Sequence, residues 1–185
     1  MSDRMLASRR GVLDGLFLPK GEEFSLTPAP DAARFTLRGS PQAARAFGPA
    51  PPQVLRATSK GERLALWLGP DEILLIAPGE DAGAVQTELE HKLAGEPHAL
   101  VDVSHRQIGL VLEGRLAARC LSAGCPLDLR LSAFPVGMAT RTIFLKAEIV
   151  LFRQEDQRFH VEVWRSFAPY LIGHLGEALI GATGL

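Results

Sequence analysis

Apolar and polar positions alternate over short runs of this chain, and between those runs the apolar positions recur at helical spacing. Phe35 and Leu37 alternate with Arg34, Thr36 and Arg38, which predicts a strand. Gly39-Ser40-Pro41 then opens a short helix, with Ser40 as cap and Pro41 in the first turn, and Gly48 with Pro49, Pro51 and Pro52 ends it. Arg63 to Leu68 and Glu72 to Ile76 read as two strands joined through Gly69-Pro70-Asp71. Val85, Leu89 and Leu93 follow at four-residue spacing, the mark of an amphipathic helix over about 81–94.

The order then repeats. Strands are expected over Ala99 to Val103 and from about Gln107 to Leu112, and Gly114 opens a helix whose apolar side is Leu116, Cys120 and Leu121. Met138 to Leu145, Glu148 to Phe152 and Phe159 to Trp164 are three more strands. The last helix runs from about Phe167 to Gly181, with Ser166 as cap and Pro169 in its first turn, where a missing N–H costs little. The segments RFTLRGSPQAARAFG, from Arg34, and GLVLEGRLAARCLSAG, from Gly109, share a strand, Gly, short-helix order. Two related α+β halves of βαββα type, 24–97 and 98–185, are expected to share one core behind an N-terminal arm, 1–23.

Composition narrows the function classes. The chain has 185 residues, 20 Lys+Arg against 21 Asp+Glu, and a net charge of −1, so the basic footprint of a nucleic-acid binder is missing. Ser8-Arg9-Arg10 resembles the start of a twin-arginine export signal, but Asp14 and then Pro19, Lys20, Glu22 and Glu23 break the apolar run that should follow. No membrane association is expected, and a cytoplasmic location with reduced Cys120 and Cys125 is. Leu13, Leu16, Phe17 and Leu18 make the arm apolar enough to dock, either on a partner or on the chain's own surface.

Phosphate loops, Cys-x-x-Cys pairs and an HExxH helix are all absent from the sequence, so neither a metal site nor a catalytic set is assigned. Two constellations remain. In VDVSHR, residues 101–106, Asp102, Ser104 and Arg106 would share a face if the strand continued, whereas at a strand end Asp102 and Ser104 would instead satisfy the donors of a turn. Ser104 and His105 are neighbours and would point to opposite faces of a strand, so they make no nucleophile pair without a turn. In VEVWRSF, residues 161–167, His160, Glu162 and Trp164 share one face beside Arg165, and the opposite face of Phe159, Val161 and Val163 suits the core. The polar-aromatic face reads either as a ligand or partner surface or as a half-exposed sheet face with Trp164 under the last helix.

LGPDEILL, DVSH, CPLDL (which carries Asp128) and VWRSFA occur in an order and spacing that resemble the gamma subunit of heterotetrameric sarcosine oxidase, over about residues 60–180. More distantly, the second half is similar to the first part of the glycine-cleavage T-protein and other folate-dependent aminomethyltransferases. The resemblance implies an α+β fold of two ferredoxin-like halves and a place beside alpha, beta and delta subunits in a complex that demethylates sarcosine with oxygen and tetrahydrofolate. It assigns FAD, FMN and NAD to the larger subunits and none to this chain. Where the T-protein family carries an Asp-Asp pair, this chain reads Ala147-Glu148, which argues against an independent aminomethyltransferase. The expected role is therefore a non-catalytic subunit, with Asp102, Ser104, His105, Arg106, Asp128, Glu162, Trp164 and Arg165 as motif or interface positions. Two alternatives are the small subunit of a related N-methyl amino acid dehydrogenase and a free-standing folate-binding module. The arm is expected to pack on a larger subunit, and the face of His160, Glu162 and Trp164 is a second contact.

Overall fold

A computed structural model describes residues 11–184, so Ser8-Arg9-Arg10 lies outside the described residues. The strands are β1 (Lys20–Gly21), β2 (Phe24–Pro28), β3 (Ala32–Gly39), β4 (Ala57–Lys60), β5 (Arg63–Gly69), β6 (Glu72–Pro78), β7 (His98–Asp102), β8 (Gln107–Glu113), β9 (Ala139–Phe144), β10 (Ala147–Glu155) and β11 (Arg158–Trp164). The α-helices are α1 (Ala82–Lys92), α2 (Ala117–Ser122) and α3 (Ala168–Thr183). The first expected helix is instead a 3-10 segment, Pro41–Phe47, and another such turn, Arg165–Phe167, leads into α3.

Two antiparallel sheets result, ordered β1-β2-β8-β11-β10-β9 and β4-β5-β6-β3-β7. Within the second, β3, β5, β6 and β7 take the order 4-1-3-2 of a ferredoxin-like unit, with the Pro41–Phe47 segment and α1 as its two crossovers. The other sheet repeats that order with β8, β10 and β11, but its fourth strand is β2, from the opposite end of the chain. Ser25 to Pro28 pair with Glu113 to Leu110, while β7, which follows residue 97, pairs with β3. The sheets thus exchange strands across the expected 97/98 divide.

The period of two along each strand builds four layers. Ala33, Phe35 and Leu37 of β3 face α1 and the 3-10 segment, while Phe159, Val161 and Val163 of β11 face α2 and α3. Between the sheets lies a smaller apolar core in which Leu66, Leu74 and Ile76 meet Val150 and Phe152. At one edge the sheets are tied by a bridge between Arg56 and Met138 and by hydrogen bonds Ala57 N to Gly137 O and Ala139 N to Leu55 O.

Several expectations are corrected by local geometry. Neither Ser40 nor Ser166 caps a helix through its side chain, and Phe167 takes the cap position of α3 because the preceding turn already winds as 3-10. Gly114 does not open α2, which begins at Ala117; it sits at φ +118°, against the backbone of Glu23, where any Cβ would collide. The arm is not free of the fold. Leu13, Leu16 and Leu18 pack on the core around α3, Pro19 O accepts from Leu26 N, and Phe17 alone of the four points outward, 83% exposed.

Candidate functional site

The face of β11 expected to form an open surface is closed by the other sheet. His160 is 5% and Glu162 0% exposed, which corrects the reading of that face as a docking surface. Only Trp164, at the strand end and 40% exposed, reaches solvent. Nor does the last helix cover Trp164, since its side of the sheet faces away from α3.

Glu162 is held from two sides. Arg34 of β3 donates from Nε to Oε2 at 2.7 Å, and His160 Nε2 lies 2.7 Å from Oε1. Burial pushes the Glu162 carboxyl up, but the contacts with His160 and Arg34 outweigh burial and hold it below the usual range. As an ionised carboxylate only accepts, the His160 proton sits on Nε2. Arg34 also donates from Nη1 to Ala32 O at 2.9 Å, so the pair sits in a network rather than alone. Gly109 of β8 makes the approach possible, because a Cβ there would stand 2.9 Å from both Arg34 Nη2 and Glu162 Oε1.

The VDVSHR segment fixes the other end of Arg34. After β7 the chain turns, with Asp102 Oδ1 accepting from Ser104 N at 2.8 Å and from Ser104 Oγ at 2.5 Å. Ser104 Oγ in turn accepts from Arg34 N at 2.9 Å, and Val103 N donates to Arg34 O at 2.8 Å. His105 and Arg106 are exposed beyond this turn. The Arg106 guanidinium stands 5.3 Å over the Trp164 ring, and Arg106 O accepts from Arg165 N at 2.9 Å. Six of the expected residues, Asp102, Ser104, His105, Arg106, Trp164 and Arg165, therefore meet at one end of the inter-sheet seam, with Glu162 behind them. Asp128 does not join them. It pairs with Arg130 at 2.5 Å on an exposed loop, and the hydrogen bonds from that guanidinium hold its carboxyl at about 2.

A cavity of about 370 Å³ opens at this end of the seam. Arg34, Ser104, His105, Gln107 and Arg165 supply its polar wall, and Val12, Leu13 and Ile108 part of its apolar one. Arg34, Gln107 and Gly109 were not singled out from the sequence. A Gly inside the strand GLVLE signals close backbone approach and is visible in the sequence, whereas the burial that makes Glu162 a paired charge comes from the second sheet.

Elsewhere the candidates are structural. Among the described residues no three His, Cys, Asp or Glu groups cluster to hold a metal ion. Cys120 and Cys125 are buried free thiols, and burial pushes the Cys120 thiol up, away from a reactive thiolate. Glu148, where the aminomethyltransferase acid would be sought, is exposed and lies 3.8 Å from Arg141. No described helix is long and apolar enough to cross a membrane.

Comparison with known proteins agrees with this architecture. The gamma subunits of sarcosine oxidase from Corynebacterium sp. (strain P-1) and Arthrobacter sp. are 34% and 37% identical over 114 residues, a stretch that spans 62% of this chain and only 55% of theirs. A chain of the heterotetrameric sarcosine oxidase from Corynebacterium sp. U-96, solved in complex with pyrrole 2-carboxylate, superposes with a TM-score of 0.83 at 29% identity, covering 92% of this chain and 94% of that one. Aminomethyltransferase T of the glycine cleavage system from Bartonella henselae shares the fold at 15% identity, with a TM-score of 0.63 over 83% of this chain and 45% of its own. The family model for the gamma subunit matches residues 31–180, which run from β3 into α3, and the chain belongs to the sarcosine oxidase, gamma subunit family.

Proposed function

We propose that the chain is a non-catalytic subunit of a heterotetrameric sarcosine oxidase, assembled with alpha, beta and delta subunits in the cytoplasm. The observation that carries this reading is the near end-to-end match, 92% of one chain on 94% of the other, to a chain from such an enzyme. The interior supports a scaffold. The charged groups closest to a catalytic arrangement, Arg34, His160 and Glu162, are consumed by one another in a seam closed by two sheets. In this reading FAD, FMN and NAD sit in the partner subunits and supply the oxidative chemistry there, and tetrahydrofolate is a co-substrate of the assembly. This chain's residues hold shape and present surface.

Co-expression of the chain with its candidate partner subunits, followed by affinity recovery and a sarcosine-dependent peroxide assay, tests the proposal. A stoichiometric complex that loses assembly or turnover when this chain is omitted is the expected result. Recovery of the full chain alone, or an equally stable and active complex without it, overturns the proposal. Turnover of N-methylglutamate in preference to sarcosine would move the chain to the related dehydrogenase.

A further inference from the structure

The two sheets part at one corner of the seam. Ion pairs join them at two places: Arg34 with Glu162 and, from β9 to β6, Arg141 with Glu72, where Nη2 donates to Oε1 at 2.5 Å. Two residues beyond Glu162 and Arg141, on the same face of their sheet, stand Trp164 and Ile143, and both are exposed. On the other sheet Val103 packs into the seam core, but Ala99 and Val101 of β7, on the same face, are open to solvent, Val101 by 54%. β7 is also the last strand of its sheet. Val103 N donates to Arg34 O, so by alternation the N–H and C=O of Leu100 and Asp102 point away from β3, and neither residue meets a backbone partner on that side among the described residues. Native sheets blunt such an edge with Lys or Pro, and HALVD carries neither.

We infer that β7 takes up an extended segment of a partner subunit as an added strand, apolar beside Val101 and acidic where it reaches Arg106. The inference rests on the assembly proposed above. Backbone pairing along β7 supplies affinity, and alternate side chains of the added strand enter the space where the sheets part. Arg106, in the turn that follows β7, sets the charge of the occupant. Glu72 accepts from both Arg38 and Arg141, and Glu148 lies 3.8 Å from Arg141, so these carboxylates already have cations. Arg106 instead sits over the Trp164 ring with no carboxylate within ion-pair distance among the described residues. A second copy of this chain paired about Leu100 would set Asp102 beside His98 and bring Arg106 no carboxylate, whereas an acidic segment of another subunit satisfies both the strand edge and the charge.

The test is the affinity of the full chain for its co-expressed partner subunits, measured for the native chain and four variants. Val101→Lys puts a charge on the open strand, and Arg106→Glu reverses the charge beside it. Both positions are exposed, so these variants, isolated, should melt within about 2 °C of the native chain. Each is expected to weaken assembly at least tenfold, and Arg106→Lys to keep it within about threefold. Val54→Lys, at an exposed position just before β4 on the opposite edge of the same sheet, should leave it unchanged. Native affinity in both Val101→Lys and Arg106→Glu overturns the inference and leaves the assembly proposal standing, as does an equal loss in Val54→Lys. Self-association of the native chain that Val101→Lys abolishes also overturns it, because the occupant would then be a second copy. Failure of the native chain to bind the subunits at all removes the assembly proposal, and this inference with it.

Discussion

Replacing Glu162 by Gln keeps the shape of the side chain and removes its charge, which leaves the Arg34 guanidinium in a closed seam without a counter-ion. Breaking a buried pair from one side costs about 3–5 kcal/mol, because the remaining charge stays desolvated. For a chain of this size each kcal/mol moves the thermal midpoint by about 2–4 °C, so Glu162→Gln should unfold about 6–20 °C earlier. Replacing both partners by apolar residues, Arg34→Met with Glu162→Leu, should recover much of that loss, since neither charge is then buried alone. The pH dependence has a definite sign. The Glu162 carboxyl is held below its ordinary value of 4.5, so its contribution is fully present above that value and is lost as the pH falls through the lower folded value. The stability gap between the native chain and Glu162→Gln should therefore be widest near neutral pH and narrow in acid. Urea titrations at a series of pH values measure it. A gap under 1 kcal/mol at neutral pH, or a double variant no more stable than the single ones, would refute the account of Glu162 as a charge compensated by Arg34.

Gly109→Ala would place a methyl 2.8 Å from the Ala29 Cβ and 2.9 Å from Arg34 and Glu162, and should cost about 1–3 kcal/mol in chemical denaturation. Leu16→Ser should lower the thermal midpoint by removing packing on the α3 core, whereas Phe17→Ser should leave it unchanged, and equal effects of the two would contradict the placement of the arm. Glu88 accepts from Arg63 at 2.7 Å and from Lys92 at 2.5 Å, and those hydrogen bonds hold its carboxyl at about 2. Carboxyl-carbon NMR should find that midpoint in the native chain and an upward shift in Arg63→Gln. Because the folded value is lowered, the contribution of Glu88 persists above its ordinary value of 4.5 and disappears only as the pH approaches about 2.

The sequence made faces legible more readily than partners. Alternation at Phe35 and Leu37, and at Phe159, Val161 and Val163, marked the helix-facing side of two strands correctly. The same alternation marked Arg34, His160, Glu162 and Trp164 as polar and so suggested solvent, because period two carries no information about a second sheet. Only pairing across 128 residues turns Arg34 and Glu162 into a buried pair. The turn at Asp102 and Ser104 was open to reading because its hydrogen bonds are local; its grip on the Arg34 backbone was not. Likewise Leu13, Leu16 and Leu18 could be recognised as apolar, but their packing on α3 depends on β2 drawing the N-terminal segment onto the far sheet.

That exchange of β2 has a consequence for how the chain is born. Residues 24–28 leave the ribosome more than 80 positions before Glu113 to Leu110, the residues they must pair with, and until then Phe24 and Leu26 have no sheet to join. The first ferredoxin-like unit can close once β7 has emerged, yet its leading segment stays unpaired, an apolar strand waiting on translation. A break introduced between residues 97 and 98 would give two pieces that each lack a strand the other carries. Neither piece should be soluble by itself, and the pair should regain the fold only when made together.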